Sequence, residues 1–164
     1  MSLSVIVASG GARPTLGRTL DSIRSQLSLE DECIVVIDAL APWGHSSRNR
    51  AMTWAKGEHL AFMDDDDHYL DGAFDIIRRA IAEDPDAIHV FRCRWPNGML
   101  IPTPGDDELR LGNVSTQCFV VPNKAPLGLW TDEYAGDWGF ISATAKHHPV
   151  RWHEECIALY RPAN

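Results

Sequence analysis

No stretch of the 164 residues approaches the roughly 20 consecutive apolar residues that cross a bilayer. The N-terminal segment has no basic region ahead of its apolar run, so it does not read as a secretory leader. Basic charge is scarce as well. Fifteen Lys and Arg against 23 Asp and Glu leave a formal net charge of −8, which argues against partners held by phosphate charge, nucleic acid or an anionic membrane. The four cysteines, Cys33, Cys93, Cys118 and Cys156, form no C-x-x-C pair, so neither a disulfide framework nor a cysteine metal site is indicated. They lie in apolar or alternating segments, where a free thiol acts as a small buried hydrophobe. Reduced thiols are the habit of a cytoplasmic protein. There is no internal repeat, low-complexity tract or linker. With 45% hydrophobic residues, the chain can bury a core as one domain over 1–164 without staples.

What the sequence does contain is an alternation of strand and helix. Residues 3–8 form an apolar run too short for a helix, broken by Gly10 and Gly11. Leu16, Leu20, Ile23 and Leu27 then recur at helical spacing behind Thr15, a candidate N-cap. A second strand over 33–37 ends at Asp38. Ser46 or Ser47 can cap a helix reaching Lys56 and stopping at Gly57. A third strand over 59–63 ends at Asp64. Strand, helix, strand, helix, strand is the order of an α/β protein with a mainly parallel sheet flanked by helices. Ligands of such sheets bind beyond the carboxyl ends of the strands, the edge where Asp38 and Asp64 both fall.

The second half reads differently. Phe74, Ile77 and Ile81 mark a helix between Asp71 and Pro85. Asn97-Gly98 between residues 87–95 and 98–101 is a hairpin signal. A strand over 114–121, a short helix from Trp138 and a strand within 150–160 follow. The loop over 102–112, rich in Gly, Pro and Asp, is the expected mobile segment.

The most informative feature is the run Asp64, Asp65, Asp66 and Asp67. Four adjacent carboxylates repel one another and require a cation, either a divalent metal or Arg and Lys supplied by the fold. Hard oxygen ligands suit Mn²⁺ or Mg²⁺, with substrate phosphates completing the coordination. A solvated acidic turn capping the next helix is the plainer alternative. An EF-hand loop beginning at Asp64 fails, because its sixth position, which needs Gly, holds Tyr69. A phosphatase-type nucleophile fails too, since that aspartate follows a first strand and this run follows a third.

These segments together resemble the family 2 glycosyltransferases, enzymes of the GT-A fold. SVIV at 4–7, LDSIRSQ at 20–26, IVVID at 34–38, SRNRA at 47–51 and AKGEHLAFMDDDD at 55–67 match the family in order and approximate spacing. The last is the most specific, with its Asp-x-Asp pattern after an apolar strand. GNVSTQ at 112–117, GDW at 136–138 and LYR at 159–161 are similar in a looser way. The resemblance implies transfer of a sugar from a nucleoside-diphosphate sugar, most simply a UDP-sugar, to an acceptor hydroxyl with inversion at the anomeric carbon. Residues 1–70 would form the nucleotide-binding half and 71–164 the acceptor and catalytic half. Ala8, Ser9 and Asp38 would lie against the nucleotide, with Asp38 at the base and Asp64 and Asp65 facing the ribose. Arg48 would reach the diphosphate or the acidic run, Asp66 would hold Mn²⁺ or Mg²⁺, and Asp137 would be the general base. Asp137 near a helix N-terminus is expected to stay ionised. His153, and less strongly His148, stand where some GT-A enzymes place a further metal ligand.

The sequence also departs from the family. Ala8-Ser9-Gly10 replaces the aromatic that often packs on the base, a contact that Trp43 could supply instead. Ala39 follows Asp38 where a second acid is usual. The chain is short for the family, with no extension for an acceptor domain or membrane anchor expected, and Trp95 and Trp130 are candidates to line an acceptor cleft or a dimer interface. Two other classes fit part of the pattern: a non-catalytic nucleotide- or sugar-binding module, and a metal-dependent nucleotidyltransferase or sugar-nucleotide hydrolase. The acceptor, whether glycan, protein or small molecule, is not specified.

Overall fold

The computed structural model describes the chain except residues 12, 41, 132, 163 and 164. Its core is one eight-stranded sheet in the order β2-β1-β3-β7-β5-β8-β4, with β6 paired to β5. The strands are β1 (Leu3–Ser9), β2 (Glu32–Ile37), β3 (His59–Asp64), β4 (His68–Tyr69), β5 (Ile88–Arg94), β6 (Leu100–Ile101), β7 (Phe119–Pro122) and β8 (Val150–Leu159). The long ladders, β1 with β2, β1 with β3 and β5 with β8, are parallel. Shorter antiparallel ladders join β3 to β7, β5 to β7 and β4 to β8. The sheet is thus mixed and mainly parallel, as expected.

Side-chain alternation along the strands divides the core into two layers. Leu3, Val5 and Val7 of β1 and Ala61 and Met63 of β3 pack beneath α1 (Leu16–Arg24) and α3 (Ala73–Glu83), against Ile23, Phe74, Ile77 and Ile81. Ile6, Leu60 and Phe62 face the other way. They pack beneath α2 (His45–Met52) and α4 (Gly136–Thr144), with Ala51, Phe119, Trp130, Phe140 and Ile141. Because both faces of β1 and β3 are covered, their sequences read as unbroken apolar runs.

Several expectations need correction. Helix α2 starts at His45 behind Gly44, which has a φ of 68°, so neither Ser46 nor Ser47 caps it; it ends at Met52, short of Lys56. Thr15 precedes α1 as expected but makes no side-chain cap bond. Residues 114–121 are not one strand: a 3-10 turn over Thr116–Cys118 precedes β7. Only Cys93 and Cys118 are buried, Cys33 and Cys156 being half-buried, and all four are free thiols. The loop expected to be mobile is pinned. Asn113 Nδ2 donates to the carbonyls of Asp106 and Glu108, and Arg92 of β5 pairs with Asp107 at 3.0 Å. Among the described residues no helix is long and apolar enough to cross a membrane.

Candidate active site

Parallel register brings the carboxyl ends of the first three strands together. Ala8 is opposite Asp64 and Ser9 is opposite Ile37, and the Asp38 N–H continues the ladder to the Ser9 carbonyl at 2.9 Å. The backbone turns sharply after Asp64, because the next element, β4, pairs with the end of β8 through His68 and Leu159. Helix α1 braces this turn: the Thr19 hydroxyl donates to the Asp67 carbonyl at 2.7 Å. The acidic run is therefore enclosed by β1, α1 and the end of β8.

Each of its first three carboxylates meets an arginine. Asp64 accepts from Arg48, which is buried on α2. The same guanidinium lies 4.7 Å from the centroid of the buried Trp130 ring and donates to the Trp43 carbonyl at 2.7 Å. Asp65 accepts from the Ser9 hydroxyl at 2.6 Å and lies 3.5 Å from Arg13 Nε. Asp66 Oδ2 lies 3.3 Å from Arg13 Nη1 and 3.1 Å from Arg161 Nε. Burial nevertheless pushes the Asp66 carboxyl above the ordinary range, with the charges of Asp64 and Asp65 adding to the shift. Asp67 has no arginine. Its Oδ1 accepts the Arg161 N–H at 2.8 Å, and its buried Oδ2 has no hydrogen-bond partner among the described residues. Burial first, then the Asp64 charge, raise its pKa to about 9, so Asp67 is a neutral acid at pH 7. The repulsion within the run is relieved by three arginines and one retained proton.

Asp137 reaches this group from the second half of the chain. A side chain at Gly136 would bring a Cβ within 2.6 Å of the His45 ring, so this glycine lets the start of α4 rest directly on the start of α2. Asp137 in the first turn then accepts the Trp138 N–H at 2.7 Å. Burial pushes its carboxyl above the ordinary range; the Asp64 charge adds to the rise and Arg48 opposes it. Burial therefore works against the anion that its place in the first turn of a nine-residue helix favours.

The remaining candidates divide. Asp38 sits at the same edge, its Oδ2 3.5 Å from Arg50 and its Oδ1 accepting the Leu40 N–H. Trp43 is exposed at the rim with a φ of 60° and meets Tyr134 edge-to-face, with ring centroids 5.4 Å apart. His153 is not brought to the acidic run. It lies on β8 six residues, or about 20 Å of extended chain, before Leu159, with its Nε2 3.0 Å from His89 Nδ1 and its ring stacked on Phe91. His148 is buried, with Nε2 near the carbonyls of Lys124 and Pro126. Trp130 belongs to the core rather than a cleft, and Asn49 clamps its backbone through both amide atoms. Trp95 stacks on Tyr160 at 4.2 Å.

Sequence reasoning missed Arg13 as a partner of the run and gave Arg161 no role. No local pattern marks Arg13, which stands in the turn before α1; Arg161 lies in the LYR segment just beyond β8, 95 residues after Asp66 in the sequence, and that segment alone does not tie it to the acidic run. Among the described residues no three His, Cys, Asp or Glu side chains converge as a metal-holding group.

No protein-family model matches this sequence, and no curated protein matches it. Solved structures do. S. aureus TarS 1-349 superposes with a TM-score of 0.75 at 16% identity, covering 97% of this chain and 60% of that one. The same fragment in complex with UDP gives 0.69 at 15% identity over 98% of this chain, and in complex with UDP-GlcNAc 0.68 at 12% over 100%. The chain spans about 60% of the length of that fragment. At these identities the likeness is one of fold, and it is the fold that the family resemblance implied.

Proposed function

We propose that the protein is a family 2 type glycosyltransferase moving a sugar from a nucleoside-diphosphate sugar, a UDP-sugar in the simplest case, to an acceptor hydroxyl with inversion. The observation that carries this reading is the convergence of Asp137 with the Arg48–Asp64 pair at the carboxyl edge of β1 and β3. The TarS fragment of similar fold has been solved with UDP and with UDP-GlcNAc, which supports a nucleotide-sugar ligand for this edge. Residues 1–70 would carry the nucleotide, with Ala8, Ser9 and Asp38 lining the base side and Asp64 and Asp65 the ribose side. Residues 71–164 would supply the base and the acceptor face.

Asp66 suits a hard divalent cation such as Mn²⁺ or Mg²⁺. Both of its arginine contacts fall on Oδ2, which leaves Oδ1 for an ion whose other ligands would be phosphate oxygens and water. Bound there, the ion would stabilise charge developing on the leaving diphosphate. The protein's own part is at Asp137. Its carboxylate takes the proton of the acceptor hydroxyl as that oxygen forms its bond to the anomeric carbon, on the face opposite the breaking bond to the diphosphate. A base whose pKa is raised toward the working pH is better matched to this task than an ordinary aspartate.

Asp137→Asn tests the assignment. UDP affinity stays within about twofold while UDP release from UDP-GlcNAc with Mn²⁺ falls by about 10²–10⁴-fold, the usual contribution of a general base. In the parent protein kcat/KM declines on acidification through a pKa above the ordinary carboxylate range, since the base must be ionised to act. Full activity in Asp137→Asn would instead favour a nucleotidyltransferase or sugar-nucleotide hydrolase, and no turnover in either protein a binding module.

A further inference from the structure

We propose that His89 and His153 are the core of a second metal site, one for a divalent transition metal that favours imidazole nitrogen, Zn²⁺ above all, at the end of the sheet away from the acidic turn. His89 is the second residue of β5 and is buried; His153 is half-buried on β8. Both side chains lie on the α3 face of the sheet, where the His153 ring stacks on Phe91 with centroids 4.6 Å apart. Imidazole nitrogen suits Zn²⁺, Cu²⁺ and Ni²⁺, whereas the oxygen ligands of the acidic run suit Mn²⁺ or Mg²⁺. The two sites therefore differ in place and in chemistry.

The partners fix where the ring protons are. His89 Nε2 lies 2.9 Å from the Asp84 carbonyl, which can only accept, so the proton of this ring is on Nε2. Nδ1 is then the bare nitrogen, and it faces His153 Nε2 at 3.0 Å. A metal-bound imidazole commonly donates its other N–H to a backbone carbonyl in this way, which sets the tautomer and the ring plane. Zn–N bonds of about 2.0–2.1 Å on a tetrahedral ion hold two ligand nitrogens about 3.3 Å apart, so the pair needs to open only slightly and the half-buried His153 ring to turn. The proton that His153 Nε2 now donates to His89 moves to His153 Nδ1, and both rings stay neutral ligands.

The surroundings favour a cation. Asp84, whose carbonyl receives His89, is the C-terminal cap of α3, so the negative end of that helix dipole lies at the pair. The charges of Glu155 and Glu83 favour a positive ring at His153, with Arg79 and Arg92 opposing them. Arg92 is engaged on the other side by Glu154 and Asp107. Burial dominates at both rings, lowering the pKa of His153 and bringing that of His89 down to about 4. Both are neutral at pH 7, the form that ligates a metal. As the side chains stand, no third His, Cys, Asp or Glu among the described residues completes the set. Glu155 is the third ligand this proposal assigns, with water in the remaining position. Arg79 holds it at 3.2 Å in an exposed ion pair, a kind that contributes little and is readily given up.

Calorimetric titration of the intact protein with Zn²⁺ in excess Mg²⁺ tests the site, with Asp66→Asn run in parallel to remove the carboxylate assigned to the donor's metal. Parent and Asp66→Asn bind Zn²⁺ alike. His153→Gln keeps an N–H for the bare nitrogen of His89 but is a poor metal ligand. Its Zn²⁺ affinity falls by more than about tenfold, the least that losing even an outer-shell partner usually costs. Glu155→Gln weakens binding by less than His153→Gln does. Nitrogen-15 spectra of the parent show His89 Nδ1 and His153 Nε2 shifting with Zn²⁺ while His89 Nε2 keeps its proton. Thermal unfolding without metal checks that His153→Gln is folded; if it is not, the imidazole shifts of the parent decide. A pair that serves only as a hydrogen bond would leave Zn²⁺ affinity unchanged in His153→Gln and the imidazole signals unmoved. Either result, or loss of Zn²⁺ binding in Asp66→Asn, would overturn the site.

Discussion

Asp67 is the carboxylate of the run with no arginine, and its environment sets its charge. An unfolded chain ionises such a group near pH 4, whereas the folded protein holds the proton up to about pH 9. The stability tied to that proton is complete below about pH 4 and is lost progressively as pH rises toward 9. Denaturant unfolding followed from about pH 5 to 8 therefore shows stability falling with pH, by at most about 1.4 kcal/mol per pH unit for one proton. Asp67→Asn keeps an oxygen for the Arg161 N–H and has nothing to titrate, so its curve is flatter. A parent curve as flat as the variant's would show that Asp67 is ionised. At this scale the sequence was informative about identity and weak on charge state. Residues 64–67 announced a site that needed cations; Arg48 was legible as one of them, whereas Arg13 stands in no recognisable pattern and the LYR segment does not by itself connect Arg161 to the run. Asp137 was found through the GDW segment, but its protonation behaviour follows from burial that local sequence does not express.

Elements set the geometry that residues then use. The starts of α2 and α4 touch through His45 and Gly136, and this contact carries Asp137 toward Arg48 and Asp64. Gly136→Ala places a methyl carbon within 2.6 Å of both the His45 ring and the Thr131 carbonyl. Crowding of this kind costs about 1–3 kcal/mol in a packed interior. Thermal unfolding checks that loss, and kinetics check its consequence: turnover drops more than UDP affinity, because α4 shifts while the ends of β1–β3 do not. Equal losses in both would mean that α4 supports the nucleotide side as well. The β1–α1–β2–α2–β3 order was legible because β1 and β3 are fully buried apolar runs, β2 is a short apolar run at the sheet edge, and α1 carries a spaced apolar stripe. The two-residue β4 was not legible, since it exists only through its pairing with β8. The 114–121 segment was misread because its buried residues form a 3-10 turn before the strand, and apolar content alone does not distinguish the two.

Across the whole molecule, one sheet joins halves that the sequence presents as separate. Strand β7 inserts antiparallel between β3 and β5, and β8 runs parallel to β5, ending beside the acidic turn. This path delivers Arg161 to Asp66 and carries His153 away from it, so two remote residues exchanged the importance that the sequence suggested. The net charge of −8 coexists with a local cluster in which arginines pair with Asp64, Asp65 and Asp66, so overall acidity does not by itself exclude an anionic ligand at this edge. The most direct test is a thermal-shift titration of the intact chain with UDP, GDP, CDP and dTDP, each with Mn²⁺ and with EDTA. A ligand at a hundredfold excess over its dissociation constant adds about 2.7 kcal/mol of stability, which is readily seen in a domain of this size. Tm is expected to rise with UDP and Mn²⁺, and the rise to shrink in EDTA and in Asp66→Ala. No shift with any of the four nucleotides, in a protein that unfolds cooperatively, would contradict it.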